Sequence, residues 1–251
     1  MRPNDSPYDD AFFEREEQAV LQSARTVVPI LLNLTRPTSV IDVGCGRGAW
    51  LCVFRENGTG KIRGLDGPHV NHSKLLFDPT CFSAVNLAQP LAVNEKYDLA
   101  VCLEVAEHLP EKMSQSLVVT LTTAAPLILF SAAIPGQGGT SHINEQWPSY
   151  WEAHFAERNF SRLDPIRRHV WQDSRVKWYY RQNMFLYASP NAIAKSEALR
   201  AEAALAAQTQ FEWIHIKVLH RSLERFATPQ GLLRELPGAA LRTIRRTLRP
   251  S

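Results

Sequence analysis

Four side chains that could move protons or bind a metal ion lie in two short stretches of this sequence. Glu104, Glu107 and His108 fall within the segment Glu-Val-Ala-Glu-His, and His142 follows in a glycine-rich stretch. If a helix begins near Glu104, residues at this spacing of three and four project to one side of it. Carboxylate and imidazole groups together suit a divalent ion, and either histidine alone suits a general base. The pattern therefore predicts a metal centre or an acid–base centre.

Each of these residues also has a plainer interpretation. Glu104 could hold a cationic group of a ligand. Glu107, in the first turn of a helix, could stabilise that helix because its negative charge interacts favourably with the helix dipole. His142 could act alone as the general base. A divalent ion, Mg²⁺, Mn²⁺ or Zn²⁺, would lower the pKa of a substrate hydroxyl. Metal use, metal-free use of His108 or His142, and a structural role all stay open at this point.

A strand, a glycine turn and a helix are predicted to position this chemistry. The apolar residues Val40, Ile41 and Val43 are typical of a buried strand. Glycines follow at 44, 46 and 48, and a helical pattern starts at Ala49. Glycines in such a turn let backbone N–H groups approach a ligand, because no Cβ blocks the way. Dinucleotide-binding folds use a G-x-G-x-x-G/A turn that this sequence also satisfies.

Asp42 decides between two ligand classes. A carboxylate two residues before the first glycine would repel a pyrophosphate, but it suits a ligand that carries an ammonium group. S-adenosyl-L-methionine (SAM) has an ammonium and a sulfonium and no phosphate. The pattern apolar-apolar-Asp-x-Gly-x-Gly-x-Gly, ending at Gly48, resembles motif I of class I SAM-dependent methyltransferases. The alternatives are a nicotinamide-dependent oxidoreductase and a non-catalytic, methyltransferase-like scaffold.

The resemblance covers about residues 35–188 and implies a Rossmann-like α/β fold. The alternating β/α segments and a closing β-rich hairpin favour a seven-stranded, mostly parallel sheet with helices on both faces, whose last strand is antiparallel by resemblance. Asp66, at the end of the next strand, is expected to accept both ribose hydroxyls, and Asn86 to lie near the adenine amino group. The other residues expected at the cofactor are Asp42, Gly44, Cys45, Gly46, Gly48, Gly67, Leu87 and Glu104.

The E-x-x-E-H segment with a later histidine is similar to the metal site of small-RNA 3′-terminal 2′-O-methyltransferases. A similar segment occurs in ubiquinone-pathway O-methyltransferases. The resemblance implies that Glu104, Glu107, His108 and His142 bind a metal and that the last three are catalytic. Because it is confined to the motif, the RNA substrate is not carried over, and the expected acceptor is a hydroxyl of a small molecule or a glycan.

The stretch Ser141–Trp147 is dense in hydrogen-bonding groups and ends in an aromatic residue. It suits a polyhydroxylated acceptor, with Trp147 or Trp151 stacking on a sugar face. Asn144 is also expected to cap a helix predicted over 145–158. The remaining predicted elements are helices at 11–34 and 113–122 and strands near 61–66, 81–87, 97–103, 126–133, 160–170 and 177–188.

Two further expectations concern the ends of this fold. Pro29 is expected to break or kink the first helix, whose first turn, with Tyr8, Phe12 or Phe13, could form a lid over the cofactor. Arg181, Gln182 and Asn183 are expected on the last strand, where they would line the acceptor pocket beside the loop at 141–147.

Length and charge predict the domain organisation. The chain has 251 residues, 45% of them apolar, so one large domain with appendages is expected. The large domain is predicted to be a SAM-binding domain at 35–189. The appendages are an N-terminal helical segment at 1–34 and a helical extension at 190–251. The net charge of the chain is +3. The extension carries a net charge of +5, so residues 1–189 are mildly acidic, which does not favour nucleic-acid binding.

The C-terminal extension and the cysteines provide information about where in the cell the protein is expected. The 191–227 segment predicts one long helix or two, and beyond Pro237 apolar Leu241, Ile244 and Leu248 oppose four arginines. That pattern suits weak contact with an anionic membrane surface or an acidic partner, or a solvated helix. Four cysteines without C-x-x-C spacing are expected to be reduced. Without a signal core or a membrane-length segment, a cytoplasmic, bacterial protein is expected, and the oligomeric state stays open.

Overall fold

The computed structural model describes residues 10–207 together with Ile214, His215 and Lys217, with side chains from Glu16 onward. The strands are β1 (Ser39–Val43), β2 (Lys61–Asp66), β3 (Phe82–Ala84), β4 (Leu99–Leu103), β5 (Leu127–Ser131), β6 (Ser161–Leu163) and β7 (Phe185–Ala188). The helices are α1 (Asp10–Leu34), α2 (Ala49–Glu56), α3 (Ser114–Ala124), α4 (Pro148–Ala156), α5 (Arg167–Val170), α6 (Trp178–Asn183), α7 (Pro190–Lys195) and α8 (Glu197–Ala206).

The strands form a seven-stranded sheet in the order β3-β2-β1-β4-β5-β7-β6. The first five strands pair in parallel, and β7 runs antiparallel to both β5 and β6. The predicted Rossmann-like sheet with an antiparallel last strand is confirmed. The strand order reverses between β1 and β4, and ligands of open α/β sheets bind at the carboxyl ends of strands at such a point.

Alternation along β1 explains why helices cover both faces of the sheet. Val40 packs into one apolar core with α1 and α2, whereas Ile41 and Val43 pack into a second core with α3 and α4. Successive side chains of a strand point to opposite faces, so a strand that is apolar throughout needs cover on both. All residues of β4 and β5 are buried, as expected for the centre of such a sheet.

Several predicted boundaries are wrong. The strand predicted near 160–170 ends at Leu163, and residues 167–170 form helix α5. Residues 178–183 form helix α6 rather than part of the last strand, because β7 begins only at Phe185, where its pairing with Phe130 starts. The third strand is likewise shorter than predicted and ends at Ala84. Helix α4 begins at Pro148 with Trp147 as its N-cap residue, so Asn144 is not its cap.

Helix α1 continues through Pro29 without a break. Val27, Val28 and Leu31 are fully buried, and this apolar packing against the body offsets the hydrogen bond that proline removes. The predicted lid residue Tyr8 lies outside the described residues, and the side chains of Phe12 and Phe13 are not described.

The C-terminal extension begins as two short helices. Ser196 ends α7 and caps α8, its Oγ accepting a hydrogen bond from the Leu199 N–H. The chain divides into two compact units, Met1–Trp213 and Ile214–Ser251. The predicted basic amphipathic segment at 241–249 lies outside the described residues. All four cysteines are free thiols. None of the helices in the described part of the chain is long and apolar enough to cross a membrane.

Candidate functional site

The glycine turn after β1 adopts a backbone that other residues rarely adopt. Gly44 and Gly48 have φ values of 83° and 84°. A Cβ at Gly44 would lie 2.3 Å from Val105 Cγ2, and one at Gly48 would lie 2.2 Å from the Phe77 ring. The turn therefore needs glycine both for its conformation and for the close approach of neighbouring side chains.

Two cavities share Gly44 in their linings. The larger has a volume of about 620 Å³, and predicted cofactor residues lining it are Asp66, Gly67, Asn86, Leu87 and Glu104. The smaller, of about 250 Å³, is lined by Asp42, Cys45 and Gly46 from the predicted set. Gly48 lines neither, so its role is to shape the turn. A ligand that filled both cavities would pass over the bare Gly44 backbone.

Asp66 connects the end of β2 to the glycine turn. Its Oδ2 accepts a hydrogen bond from the Gly46 N–H and its Oδ1 accepts one from the Gly67 N–H, each at 2.6 Å. Asn86 lies in the loop after β3, where its Oδ1 accepts a hydrogen bond from the Ala88 N–H at 3.0 Å. The Asn86 amide nitrogen has no partner within the described chain and lies beside the larger cavity.

Asp42 is a buried carboxylate that lines the smaller cavity, with 3% of its surface exposed. No described residue donates a hydrogen bond to it. Burial, and secondly the charge of Asp66, raise the pKa of Asp42 well above its usual range. An unpaired carboxylate in such a place suits a cationic ligand group and disfavours a pyrophosphate.

Glu104 follows β4 in a left-handed conformation, with a φ of 55°. Its backbone N–H donates a hydrogen bond to the Ser131 carbonyl at 3.0 Å. Its carboxylate accepts hydrogen bonds from Gln137 Nε2 at 2.9 Å and Asn183 Nδ2 at 3.1 Å. Two amides from distant segments thus fix the carboxylate that was predicted to hold a metal or a cofactor amine.

The residues predicted on the last strand have separate roles on helix α6. Asn183 reaches the site through Glu104, but it lines neither cavity. Arg181 Nη1 instead donates a hydrogen bond to the Trp171 carbonyl at 3.0 Å. Neither Arg181 nor Gln182 lines either of the two cavities. The predicted place of all three on the last strand is wrong, and their predicted place at the acceptor pocket stays a prediction.

Glu107, His108 and His142 converge. One potential ligand atom from each of them lies within 4.8 Å of the others. The two imidazole rings pack edge to face, with centroids 4.9 Å apart. Residues 106–108 form a 3₁₀ turn rather than the start of an α-helix. Glu104 does not contribute one of the three clustered ligand atoms, but its carboxylate lies close enough to that of Glu107 to raise the Glu107 pKa.

Glu107 is fully buried, and neither of its carboxylate oxygens has a hydrogen-bond partner among the described residues. Burial, and secondly the Glu104 carboxylate, raise the pKa of Glu107 to about 9. Its backbone carbonyl accepts hydrogen bonds from the N–H groups of Ile143 and Asn144, at 2.9 and 3.1 Å. These bonds dock the loop that carries His142 onto the turn that carries Glu107.

Both imidazoles are oriented through Nδ1. His142 Nδ1 lies 3.0 Å from Glu145 Oε1, and His108 Nδ1 lies 3.4 Å from the Ser141 carbonyl oxygen. Burial, and secondly His142, lower the pKa of His108, which favours the neutral ring. Sequence reasoning missed Glu145. The His-x-x-Glu spacing is a signal that could have found it.

The loop around His142 turns its polar side chains inward. Asn144 is 3% exposed, and its Nδ2 donates a hydrogen bond to Ser114 Oγ at 3.2 Å. Ile143 and Trp147 are 64% and 46% exposed. Trp151 is 2% exposed, so it packs in the core and cannot stack on a sugar as predicted. Trp147 alone of the two tryptophans offers its ring at the surface.

Comparison with known proteins shows what this chain is similar to. Residues 13–125 match the model of a family described as methyltransferase domain. No curated protein matches the sequence. The structure is similar to that of an O-methyltransferase family protein from Burkholderia thailandensis, with 12% identity, a TM-score of 0.52, and coverage of 72% of this chain and 60% of that chain.

It is also similar to magnesium protoporphyrin IX methyltransferase from Synechocystis PCC 6803 with bound SAH. The identity is 16% and the TM-score 0.53, over 74% of this chain and 90% of that one. A putative O-methyltransferase from Nostoc punctiforme PCC 73102 has 14% identity and a TM-score of 0.52, over 70% and 58% of the two chains. At these identities the similarity establishes the fold. The chain spans about 60% of the length of the Burkholderia protein.

Proposed function

We propose that this chain, which carries a class I SAM-dependent methyltransferase domain, methylates a hydroxyl oxygen of a small molecule or a glycan. The observation that carries the proposal is the convergence of Glu107, His108 and His142, because His108 also lines the larger cavity. SAM, when bound, supplies an electrophilic methyl group. The chain must orient the acceptor and help it to lose a proton, and carboxylate and imidazole groups are suited to that task.

The cofactor would lie across Gly44. Asp42 in the smaller cavity would accept hydrogen bonds from the ammonium group, and Asp66 would accept them from the ribose hydroxyls. The free amide nitrogen of Asn86 would face a ring nitrogen of the adenine. A structure of the same fold with bound SAH supports a SAM-type ligand for this site.

The described residues fit a divalent metal ion. Glu107 has two buried oxygens without partners, and the imidazoles of His108 and His142 lie beside them. Glu145 holds Nδ1 of His142, which leaves Nε2 as the donor atom. When bound, the ion would lower the pKa of an acceptor hydroxyl. Two nitrogens and a carboxylate suit Mn²⁺ or Zn²⁺ better than Mg²⁺.

A metal-free use of the same residues is the second candidate. The lowered pKa of His108 favours the neutral imidazole, which can accept a proton from the acceptor hydroxyl at Nε2. His142 next to it disfavours a second positive charge. The two candidates differ in their response to chelator, because only the first needs an ion.

Two exposed apolar side chains support an acceptor with an apolar face. Ile143 follows His142 directly, and Trp147 ends the same loop. Large apolar side chains are usually buried. Here their polar neighbours Asn144 and Glu145 point inward instead and form hydrogen bonds with the protein. A planar ring or the C–H face of a sugar would cover the exposed pair.

The test combines ligand binding with methyl transfer. Calorimetry should show binding of SAH and none of NAD⁺. Label from methyl-labelled SAM should then enter a pool of hydroxylated small molecules or oligosaccharides. Loss of transfer in chelator and its return with Mn²⁺ or Zn²⁺ would support the metal. Unchanged methyl transfer in chelator would support the metal-free candidate, in which an imidazole is the base. Absence of SAH binding would refute the proposed function.

A further inference from the structure

In the described part of the chain, a single guanidinium side chain lines the two cavities that share Gly44. Among the described residues that line them, Arg47 is the only guanidinium or ammonium group. It lies within the glycine turn, between Gly46 and Gly48, and borders the smaller cavity together with Asp42. The smaller cavity therefore combines the unpaired carboxylate of Asp42 with the guanidinium of Arg47 and its ion-pair partner Glu17.

The Arg47 side chain is held along one edge only. Its Nε donates a hydrogen bond to the Lys74 carbonyl at 2.8 Å and lies 2.8 Å from Glu17 Oε2 of helix α1. Neither Nη atom has a partner among the described residues. Its side chain is 33% exposed. The anchored Nε edge thus leaves the two Nη groups available as a fork for a carboxylate.

We infer that Arg47 binds the α-carboxylate of the methionine moiety of SAM, with Glu17 and the Lys74 carbonyl as positioning groups. The inference rests on the proposed cofactor. An α-amino acid carries one ammonium and one carboxylate on the same carbon. Asp42 could accept hydrogen bonds from the first and the Nη groups of Arg47 could donate to the second, and both residues border the same small cavity. Adenosine in the larger cavity would direct the methionine moiety across Gly44 into the smaller one.

Two ligands that differ in one group test this assignment. They are SAH and its decarboxylated analogue, in which hydrogen replaces the α-carboxylate and the ammonium is retained. Calorimetry with the full chain should show that the unaltered protein binds SAH more tightly than the analogue. Arg47→Gln should weaken SAH binding by about ten- to hundredfold, the range of a charge-assisted hydrogen bond, and change the affinity for the analogue less than twofold.

The matched control is Arg25→Gln. Arg25 of α1 pairs with Glu56 of α2 at 2.8 Å, so this change also removes an arginine–glutamate pair that involves α1, but away from both cavities. It should leave both affinities unchanged. Arg47→Lys keeps the charge but loses the pair of Nη groups, so we expect a smaller loss of affinity that is confined to SAH. This variant replaces Arg47→Gln in the test if Arg47→Gln fails to fold.

Three results would count against the assignment. An equal loss for SAH and the analogue, or no loss for either, would overturn the role of Arg47 while leaving SAM as the cofactor. Equal binding of the two ligands by the unaltered protein would do the same. Failure of the unaltered protein to bind SAH would overturn the proposed function and this inference with it.

Discussion

His142 and Glu145 form a hydrogen-bonded pair within one loop, with 3.0 Å between Nδ1 and Oε1. The same Glu145 carboxylate accepts hydrogen bonds from the backbone N–H groups of Gly136 and Gly138, at 2.9 and 2.7 Å. Glu145 therefore anchors the loop and the imidazole at once. A carboxylate on Nδ1 fixes the tautomer in which Nε2 carries the lone pair, as in many metal-binding histidines.

Glu145→Gln should weaken Mn²⁺ binding by about tenfold or more, because the amide cannot accept all three hydrogen bonds. Electron paramagnetic resonance measures the free Mn²⁺. The control is Glu157→Gln, which alters a second His-x-x-Glu pair, formed with His154 at 3.9 Å and outside the site. Equal affinities for Mn²⁺ in both variants would show that Glu145 serves the loop alone.

Glu107→Gln should abolish measurable Mn²⁺ binding while the fold is retained. The substitution preserves shape and removes a carboxylate whose two buried oxygens have no described partner. Thermal unfolding with and without Mn²⁺ provides the measurement, since an ion at a hundred times its Kd stabilises the unaltered protein by about 2.7 kcal/mol. Glu111→Gln, at an exposed position of the same segment, should keep this shift. A full Mn²⁺ shift in Glu107→Gln would exclude the metal site.

Asp42→Asn should stabilise the ligand-free protein at pH 8 and weaken SAH binding by about tenfold or more. Burial raises the pKa of Asp42 in the folded state, so the folded protein holds this proton more tightly than the unfolded chain. Above the unfolded pKa, near 3.8, the free energy of unfolding therefore falls as the pH rises. Asparagine removes this dependence, and each kcal/mol gained should raise the Tm by about 2–4 °C.

Asp98→Asn is expected to change the Tm at pH 8 in the opposite direction to Asp42→Asn. At Asp98, burial is outweighed by hydrogen bonds from Thr38 and Ser39, which lower its pKa. Its contribution to stability is present above the unfolded pKa and is lost as the pH falls through the folded one. Asp98→Asn should therefore lower the Tm at pH 8. Parallel Tm profiles for the unaltered protein and Asp42→Asn from pH 4 to 8 would contradict the prediction for Asp42.

Gly139→Ala should displace the His142 ring without unfolding the chain. A Cβ at this exposed glycine would lie 2.2 Å from His142 Nε2, so the ring must shift. We expect at least a tenfold loss of Mn²⁺ affinity with a Tm change of about 2 °C or less. Gly60→Ala, whose Cβ would lie 3.7 Å from the Thr38 carbonyl oxygen, is the control. Retained Mn²⁺ affinity in Gly139→Ala would mean that His142 is not a ligand.

The cofactor turn could be predicted from the sequence because its parts are contiguous. A strand that leads through glycines into a helix places Asp42 and Gly44 at one edge of the sheet wherever the rest of the chain goes. Asp66 ends the neighbouring parallel strand, so its position beside Gly46 also follows from local order. Helix α6 shows the limit of this reasoning, since a short segment that begins with three aromatic residues is compatible with either a strand or a helix.

The sequence by itself determined the fold class, the cofactor turn and the set of acid–base residues. Only the tertiary structure decided which of those residues lie close together. Glu104 is held by Gln137 and Asn183, which lie 33 and 79 residues away, and Glu107 is left without a partner beside the two histidines. The reason is the left-handed backbone at Glu104 and the 3₁₀ turn after it, which no residue spacing reveals because distant contacts impose them.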